Sequence, residues 1–359
     1  MDEIIAFTRG VPPVESFPVK RLEECAKLAL ELDAGRVLQY GTAAGYAPLR
    51  EWIAHEYRVS VDQILIGQGS LQLLDTLARV TLTAQDAFFL EQPTYDRVLT
   101  IFRRSGAGLA GIALRDGRLD FGQLESKLKS GIVPRYFYLI PDFQNPSGAL
   151  MPLEDRRRLI RLAQDHHFHL IEDGPYRHLR YYGEDLPTLF ELAPEQVIHT
   201  SSFSKLISPG LRVGFMILPP NLFQSVRKFA EDTYINASYL NQAIASEFIE
   251  RGWLSQNLVE LKELYRPRLD TLLQALDEHF NGMATWIKPQ GGFFVGMNLN
   301  EGLRVPDRER SQSAGLVLSD SRGFFLEGGD QFIRLPFCAL NSAQIREGVK
   351  RLRSLFPDY

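Results

Sequence analysis

A lysine and three hydroxyls crowd one short stretch of this chain, Ser201-Ser202-Phe203-Ser204-Lys205, and Arg212 follows in SPGLRVGF. A lysine set among hydroxyls directly after an apolar strand is costly unless its charge is used or suppressed, and a suppressed lysine is the kind that forms Schiff bases. The hydroxyls and the guanidinium beside it would suit a phosphate monoester. Upstream, FHLIED ends in Asp173, and Gly174-Pro175 separates it from Tyr176. A carboxylate at the end of a core strand needs a cationic partner, because an unpaired buried charge is expensive. A protonated pyridine ring would be such a partner. Gly67-Gln68-Gly69-Ser70-Leu71-Gln72 opens a helical pattern carrying Leu71, Leu74 and Leu77. A small-residue turn of this kind presents free backbone N–H groups to a phosphate. It resembles a dinucleotide fingerprint without its last glycine, and a simple tight turn explains the segment as well.

Several other chemistries lack their residues. No lysine follows a glycine, so there is no P-loop, and neither HExxH nor GxSxG occurs. His167 and His169 would share one strand face, but no thiolate or carboxylate cluster is spaced to complete a metal site. Cys25 and Cys338 lie far apart and outside any CxxC pair, which fits ordinary free thiols in a reducing compartment. The 359 residues are 45% apolar and 23% charged, a globular composition with room for about two domains. Forty basic residues against 44 acidic ones leave a formal charge of -4, with no excess to neutralise a nucleic-acid backbone. The opening MDEIIAFTRG lacks the regions of a signal peptide, and no apolar run approaches the ~18 residues that span a bilayer. A cytoplasmic protein with neither nucleic acid nor membrane as partner is expected.

The elements that must position these residues are legible as alternating patterns. Apolar runs at 64–66, 87–90, 136–140, 169–171, 197–200 and 213–218 alternate with helical spacing over 71–80, 95–104, 121–129 and 153–166. Strand, helix, strand repeated in this way predicts an α/β fold with a mostly parallel sheet covered on both faces, whose ligands collect at the carboxyl ends of the strands. An earlier helix is expected over 20–32 and long helical segments over 222–280. Pro289-Gln290-Gly291-Gly292 then leads into a strand, FFVGMNL, followed by a strand at 331–335 and a last helix over 342–355. This predicts a large domain over 40–245 and a small α+β domain built from 246–359 together with 1–39.

On these residues the chain resembles the fold-type I, pyridoxal-phosphate (PLP)-dependent aminotransferases of the class I/II family, nearest the branch of 2-aminoadipate (LysN-like) and kynurenine aminotransferases. The matching stretches are GVPPVESFP, LQYGTAAGYAPLREW, GQGSLQLLD, EQPTYD, YLIPDFQNPSG, IEDGPYRHL, SSFSKLISPGLRVGF, QGGFFV and FIRLPF. The resemblance implies that Lys205 carries the cofactor as a Schiff base and then moves the proton between Cα of the substrate and C4′ of the cofactor. It implies that Asp173 pairs with the pyridine nitrogen and keeps it protonated, so that the ring serves as an electron sink. Asn145 and Tyr176 would hydrogen-bond the phenolic oxygen, and Tyr95 would stack on the ring. The phosphate would rest on Ser70, the backbone N–H of Leu71, Ser202, Ser204 and Arg212. Tyr40 would reach the phosphate from a second subunit, making the unit a homodimer with its active site at the subunit interface. Arg334 would take the substrate α-carboxylate, with Asn145 and Gly10 beside the substrate. The expected reaction is a ping-pong transfer of an amino group from an L-amino acid to a 2-oxo acid, with 2-oxoglutarate the expected acceptor.

The same cofactor residues also support C–S lyase (β-elimination) chemistry, or a protein that holds PLP without catalysis, and both stay open. Few residues precede Gly10, so the N-terminal helix that closes over the substrate in many relatives is expected to be short or absent. The stretch before Tyr40 is likewise too short for the DNA-binding module fused to some members of the branch. Arg9 and Arg322 are each candidates to face an acidic substrate side chain, with a solvated surface arginine as the alternative for both.

Overall fold

The computed structural model describes residues 4–357. A short strand, β1 (Ile5–Phe7), is followed by the helices Val19–Val37 and Ala47–Tyr57. The next eight strands are β2 (Ile64–Gly67), β3 (Ala87–Gln92), β4 (Gly108–Arg115), β5 (Arg118–Leu119), β6 (Pro134–Leu139), β7 (His169–Asp173), β8 (Val197–Ser202) and β9 (Gly214–Ile217). They form one sheet in the order β2-β9-β8-β7-β6-β3-β4-β5. Its centre, β8 through β4, is parallel throughout, while β9 runs antiparallel to both β8 and β2, and β5 antiparallel to β4. The central strands β7 and β8 are buried almost along their whole length, as a parallel sheet covered on both faces requires.

The covering helices follow from apolar spacing. Ser70–Thr81 buries Leu73, Leu74, Leu77, Ala78 and Thr81, and Asp96–Arg104 buries Val98, Leu99, Ile101 and Phe102, each set on one helical face. Phe121–Lys129 starts at Asp120, whose carboxylate accepts from the Gln123 N–H as an N-cap. After β9 the chain forms the helices Pro220–Tyr234, Tyr239–Glu250 and Trp253–His279, so the long helical region resolves into three. Tyr239–Glu250 packs on the two N-terminal helices. The strands β10 (Ala284–Trp286), β11 (Phe294–Leu299) and β13 (Phe332–Pro336) make a small antiparallel sheet, and the last helix, Ser342–Arg353, packs on Trp253–His279. Between them, β12 (Leu316–Leu318) pairs in parallel with β1, bringing the N-terminal strand to the C-terminal part of the chain.

The structure adds elements that the apolar pattern does not reveal. β4 reads GLAGIALR, with only Ile112 buried, so it carries no continuous apolar run. The three-residue strands β1 and β12 are too short to show a period. Tyr95, expected inside a helix, precedes it as an extended N-cap, and the last helix ends at Arg353 rather than near Leu355.

One buried ion pair fixes the loop that follows β6. Arg156 is 0% exposed and donates to the Asp142 carboxylate at 2.7 Å, and also to the carbonyls of Met151 and Pro187 at 3.0 Å each. Truncating one partner of such a pair leaves the other charge buried and uncompensated. Arg156→Ala should therefore destabilise the fold by about 3–5 kcal/mol, seen as a lowered denaturation midpoint in urea. A midpoint equal to that of the unmodified chain would contradict this assignment.

Candidate active site

A cavity of about 510 Å³ opens at the carboxyl ends of the central strands, and most of the residues singled out in the sequence converge on it. β7 delivers Asp173 as its last residue and β8 delivers Ser202, with Ser204 and Lys205 in the turn beyond. Ser70 and Leu71 come from the first turn of the helix after β2, Tyr95 from the segment after β3, and Asn145 from the loop after β6. Arg334 is contributed by β13 and Gly10 by the segment after β1, so both ends of the chain help to wall the cavity.

At its floor, Asp173 is 3% exposed. Its Oδ2 accepts a hydrogen bond from the Tyr138 hydroxyl at 2.8 Å, while Oδ1 is buried without any partner among the described residues. Burial pushes the carboxyl up to about 6, opposed by the Tyr138 hydrogen bond and by His199. A buried carboxylate oxygen with no donor, on a residue that lines a cavity, fits a ligand that brings an N–H.

Lys205 lies on the same cavity, nearly buried, and donates through Nζ to the Gly10 carbonyl at 2.8 Å. Burial lowers its pKa, and the Arg212 charge acts in the same direction. The amine is therefore easier to deprotonate than a surface lysine, which is what nucleophilic or proton-shuttling lysines need.

A cradle for an anion occupies the wall between Ser70 and Arg212. Gly69, with φ +86, is the N-cap of the helix Ser70–Thr81 and supplies no side-chain cap, so the first N–H groups of the helix are left for a ligand. Arg212, itself in the left-handed region at φ 53, lies against Gly69 and donates through Nη2 to the Gln68 carbonyl at 2.9 Å. The Ser202 hydroxyl donates to Ser204 Oγ at 2.9 Å and accepts from the Ser204 N–H at 3.1 Å. A Cβ on Gly214 would come within 2.4 Å of the Ser70 nitrogen, so the bare strand at this point lets the helix start lie on the sheet. The preceding strand β2 runs antiparallel to β9, which removes this turn from the parallel βαβ unit of a dinucleotide site. Hydroxyls, a guanidinium and free N–H groups together suit a phosphate.

Arg334 closes the opposite side. Its Nη1 donates to Asn145 Oδ1 at 3.0 Å, and Nη2 donates to Ser319 Oγ at 3.1 Å and to the Thr8 carbonyl. The guanidinium is held between the rings of Phe324 and Phe294, at 4.3 and 5.0 Å from their centroids, and its Nε has no partner among the described residues. Tyr176 packs edgewise on Phe294 and also lines the cavity. Tyr95 lines the same side.

Three candidates are placed differently from these. Tyr40 is 77% exposed and does not reach this cavity. Arg9 is exposed on the cavity wall and its side chain makes no hydrogen bond or ion pair with the described residues, whereas Arg322 lies off the wall, next to Asp320 and Asp330 at 3.6 and 3.8 Å. Tyr138, Thr8, Ser319 and the two phenylalanines about Arg334 were not singled out in the sequence. A tyrosine in a core strand signals a hidden hydrogen-bond partner, which is the one trace that points to Tyr138.

Comparison with known proteins agrees with this geometry. The family described as Aminotransferase class I and II matches residues 2–352. The 2-aminoadipate transaminase of Thermus thermophilus is 35% identical over 97% of this chain and 89% of its own length. Aromatic-amino-acid aminotransferase 1 of Thermococcus litoralis is 34% identical, covering 98% of this chain and 87% of that one. Among solved structures, LysN, the α-aminoadipate aminotransferase of Thermus thermophilus complexed with N-(5'-phosphopyridoxyl)-L-leucine, superposes with a TM-score of 0.93 at 34% identity, covering 98% of this chain and 92% of that one. The kynurenine aminotransferase of Pyrococcus horikoshii gives a TM-score of 0.94 at 32% identity, covering 99% of this chain and 91% of that one. With the fold, the cavity and these likenesses in agreement, the chain belongs to the class I and II aminotransferases and has their fold-type I architecture.

Proposed function

We propose that this aminotransferase uses PLP to move an amino group from an L-amino acid to 2-oxoglutarate in two half-reactions of a ping-pong cycle. The observation that carries the reading is that Asp173 and Lys205 line one cavity, the first with a buried carboxylate oxygen that has no donor among the described residues and the second with an amine of lowered pKa. When bound, PLP supplies the electron sink that stabilises the carbanion left by the departing Cα proton. Asp173 Oδ1 accepts from the ring nitrogen and keeps it charged. Asn145 and Tyr176 would hydrogen-bond the phenolic oxygen, and Tyr95 would cover the ring face. Ser70, Leu71, Ser202, Ser204 and Arg212 hold the phosphate through the groups described above. Lys205 would serve to move the proton between Cα of the substrate and C4′ of the cofactor, and burial, by lowering its pKa, favours the neutral amine that this role needs.

Arg334 is proposed to exchange its bond to the Thr8 carbonyl for the substrate α-carboxylate, a planar acceptor matched to its fork, with Asn145 and Gly10 alongside. Tyr40 stands out into solvent together with Leu38 and Ile235, at 77%, 69% and 48% exposure, which supports a second copy of this chain covering that surface and receiving Tyr40 at its own phosphate site. Among the described residues no helix is long and apolar enough to cross a membrane.

The test is the visible absorption spectrum of the chain reconstituted with PLP. A band that bleaches on addition of an amino donor alone and returns with 2-oxoglutarate is expected, and Lys205→Ala should show neither change. Release of pyruvate and ammonia without any 2-oxo acid would contradict transamination, as would failure to bind PLP.

Of the two candidate side-chain receptors, we assign contact with an acidic substrate to Arg9, which faces the cavity unpaired among the described residues, and not to Arg322, which is held beside two aspartates. Arg9→Glu should raise the KM for 2-oxoglutarate about fivefold or more while leaving that for pyruvate little changed. Equal effects on both acceptors would contradict the assignment.

A further inference from the structure

The phenol of Tyr138 is the one group among the described residues that hydrogen-bonds the side-chain carboxylate of Asp173. It stands on β6, opposite Ile171 of β7, and is 0% exposed, with its ring near that of Phe102. The hydroxyl is closed off from solvent, and its only hydrogen-bond partner among the described residues is Asp173 Oδ2 at 2.8 Å. An ionised carboxylate has acceptor capacity on both oxygens. With Oδ2 committed to a donor on the neighbouring strand, the side chain cannot turn about χ2 without breaking that bond, and Oδ1 is the oxygen left without a donor among the described residues.

We infer that Tyr138 is a positioning residue, whose hydroxyl locks Asp173 with Oδ1 free to accept from the ring nitrogen of the bound cofactor. This rests on the PLP reading above. The other groups that act on Asp173 are its chain neighbour Glu172, His199 of β8, and the phenols of Tyr95 and Tyr176. His199 is itself bound through Nδ1 to Glu172 Oε2 at 3.0 Å. Burial and Glu172 disfavour the charged carboxylate, whereas Tyr138 and His199 favour it. Removing the Tyr138 hydroxyl therefore moves ionisation of Asp173 to higher pH and leaves Oδ2 without its donor.

The experiment compares PLP with its 1-deaza analogue, in which carbon replaces the ring nitrogen, as ligands of the cofactor-free chain, followed by fluorescence quenching across the pH range in which carboxyl groups titrate. Tyr138→Phe should weaken PLP binding on the order of tenfold, as loss of a hydrogen bond to a charged group does. The acid limb of its binding curve should also move to higher pH. Affinity for the deaza analogue should stay within about twofold of the unmodified chain, since no ring nitrogen is present to sense Asp173. In an Asp173→Ala background, Tyr138→Phe should change neither affinity. Equal weakening of both ligands, an unmoved acid limb, or a full effect in the Asp173→Ala background would overturn the inference. Absence of PLP binding by the unmodified chain would overturn the cofactor reading and this inference with it.

Discussion

A carboxylate held out of water with one oxygen unpaired is the constraint around which this structure is arranged. Leaving a buried charged atom without a partner costs several kcal/mol, and proteins avoid it except where a ligand supplies the missing donor. Asp173 is kept in that condition by its place at the end of β7, between β6 and β8 in the middle of a covered parallel sheet. The surrounding strand ends then determine what else can face it. β8 carries Ser202, Ser204 and Lys205 to one side, and the loop after β6, tied down through Arg156 and Asp142, carries Asn145 to another.

The N-terminal segment joins the two ends of the site. β1 pairs with β12, and the residues just beyond it meet two of the cavity's cations, the Thr8 carbonyl accepting from Arg334 and the Gly10 carbonyl from Lys205. In the proposed reading the bond from Arg334 is exchanged for one to a substrate carboxylate. The segment thus gives both of these cations neutral carbonyl partners, which bind less tightly than a carboxylate would. The rings of Phe294 and Phe324 lie against the Arg334 guanidinium and restrict its plane.

How much of this is legible in the sequence depends on whether a residue's role is local. Lys205 and Asp173 are readable because a charged residue directly after an apolar strand is unusual wherever it occurs. The cradle at Ser70 is readable from its glycines. The central strands are readable because burial on both faces makes them continuously apolar, whereas β4, with one buried residue, has no such signal. Tyr138 looks like one more aromatic residue in YFYLI, and its bond to Asp173 follows only from the register of β6 against β7. Arg9 and Arg322 are equivalent in sequence, and only the folding of the segment around Asp320 and Asp330 separates the one on the cavity from the one paired elsewhere.

The central claim, that Asp173 holds the cofactor ring by its nitrogen, is tested most directly by the nitrogen itself. The chain reconstituted with PLP labelled with nitrogen-15 in the ring should show, by nuclear magnetic resonance at neutral pH, the chemical shift of a protonated pyridine. Asp173→Ala should move that signal to the unprotonated position. An unprotonated ring nitrogen in the unmodified chain, or a shift indifferent to Asp173, would contradict the account.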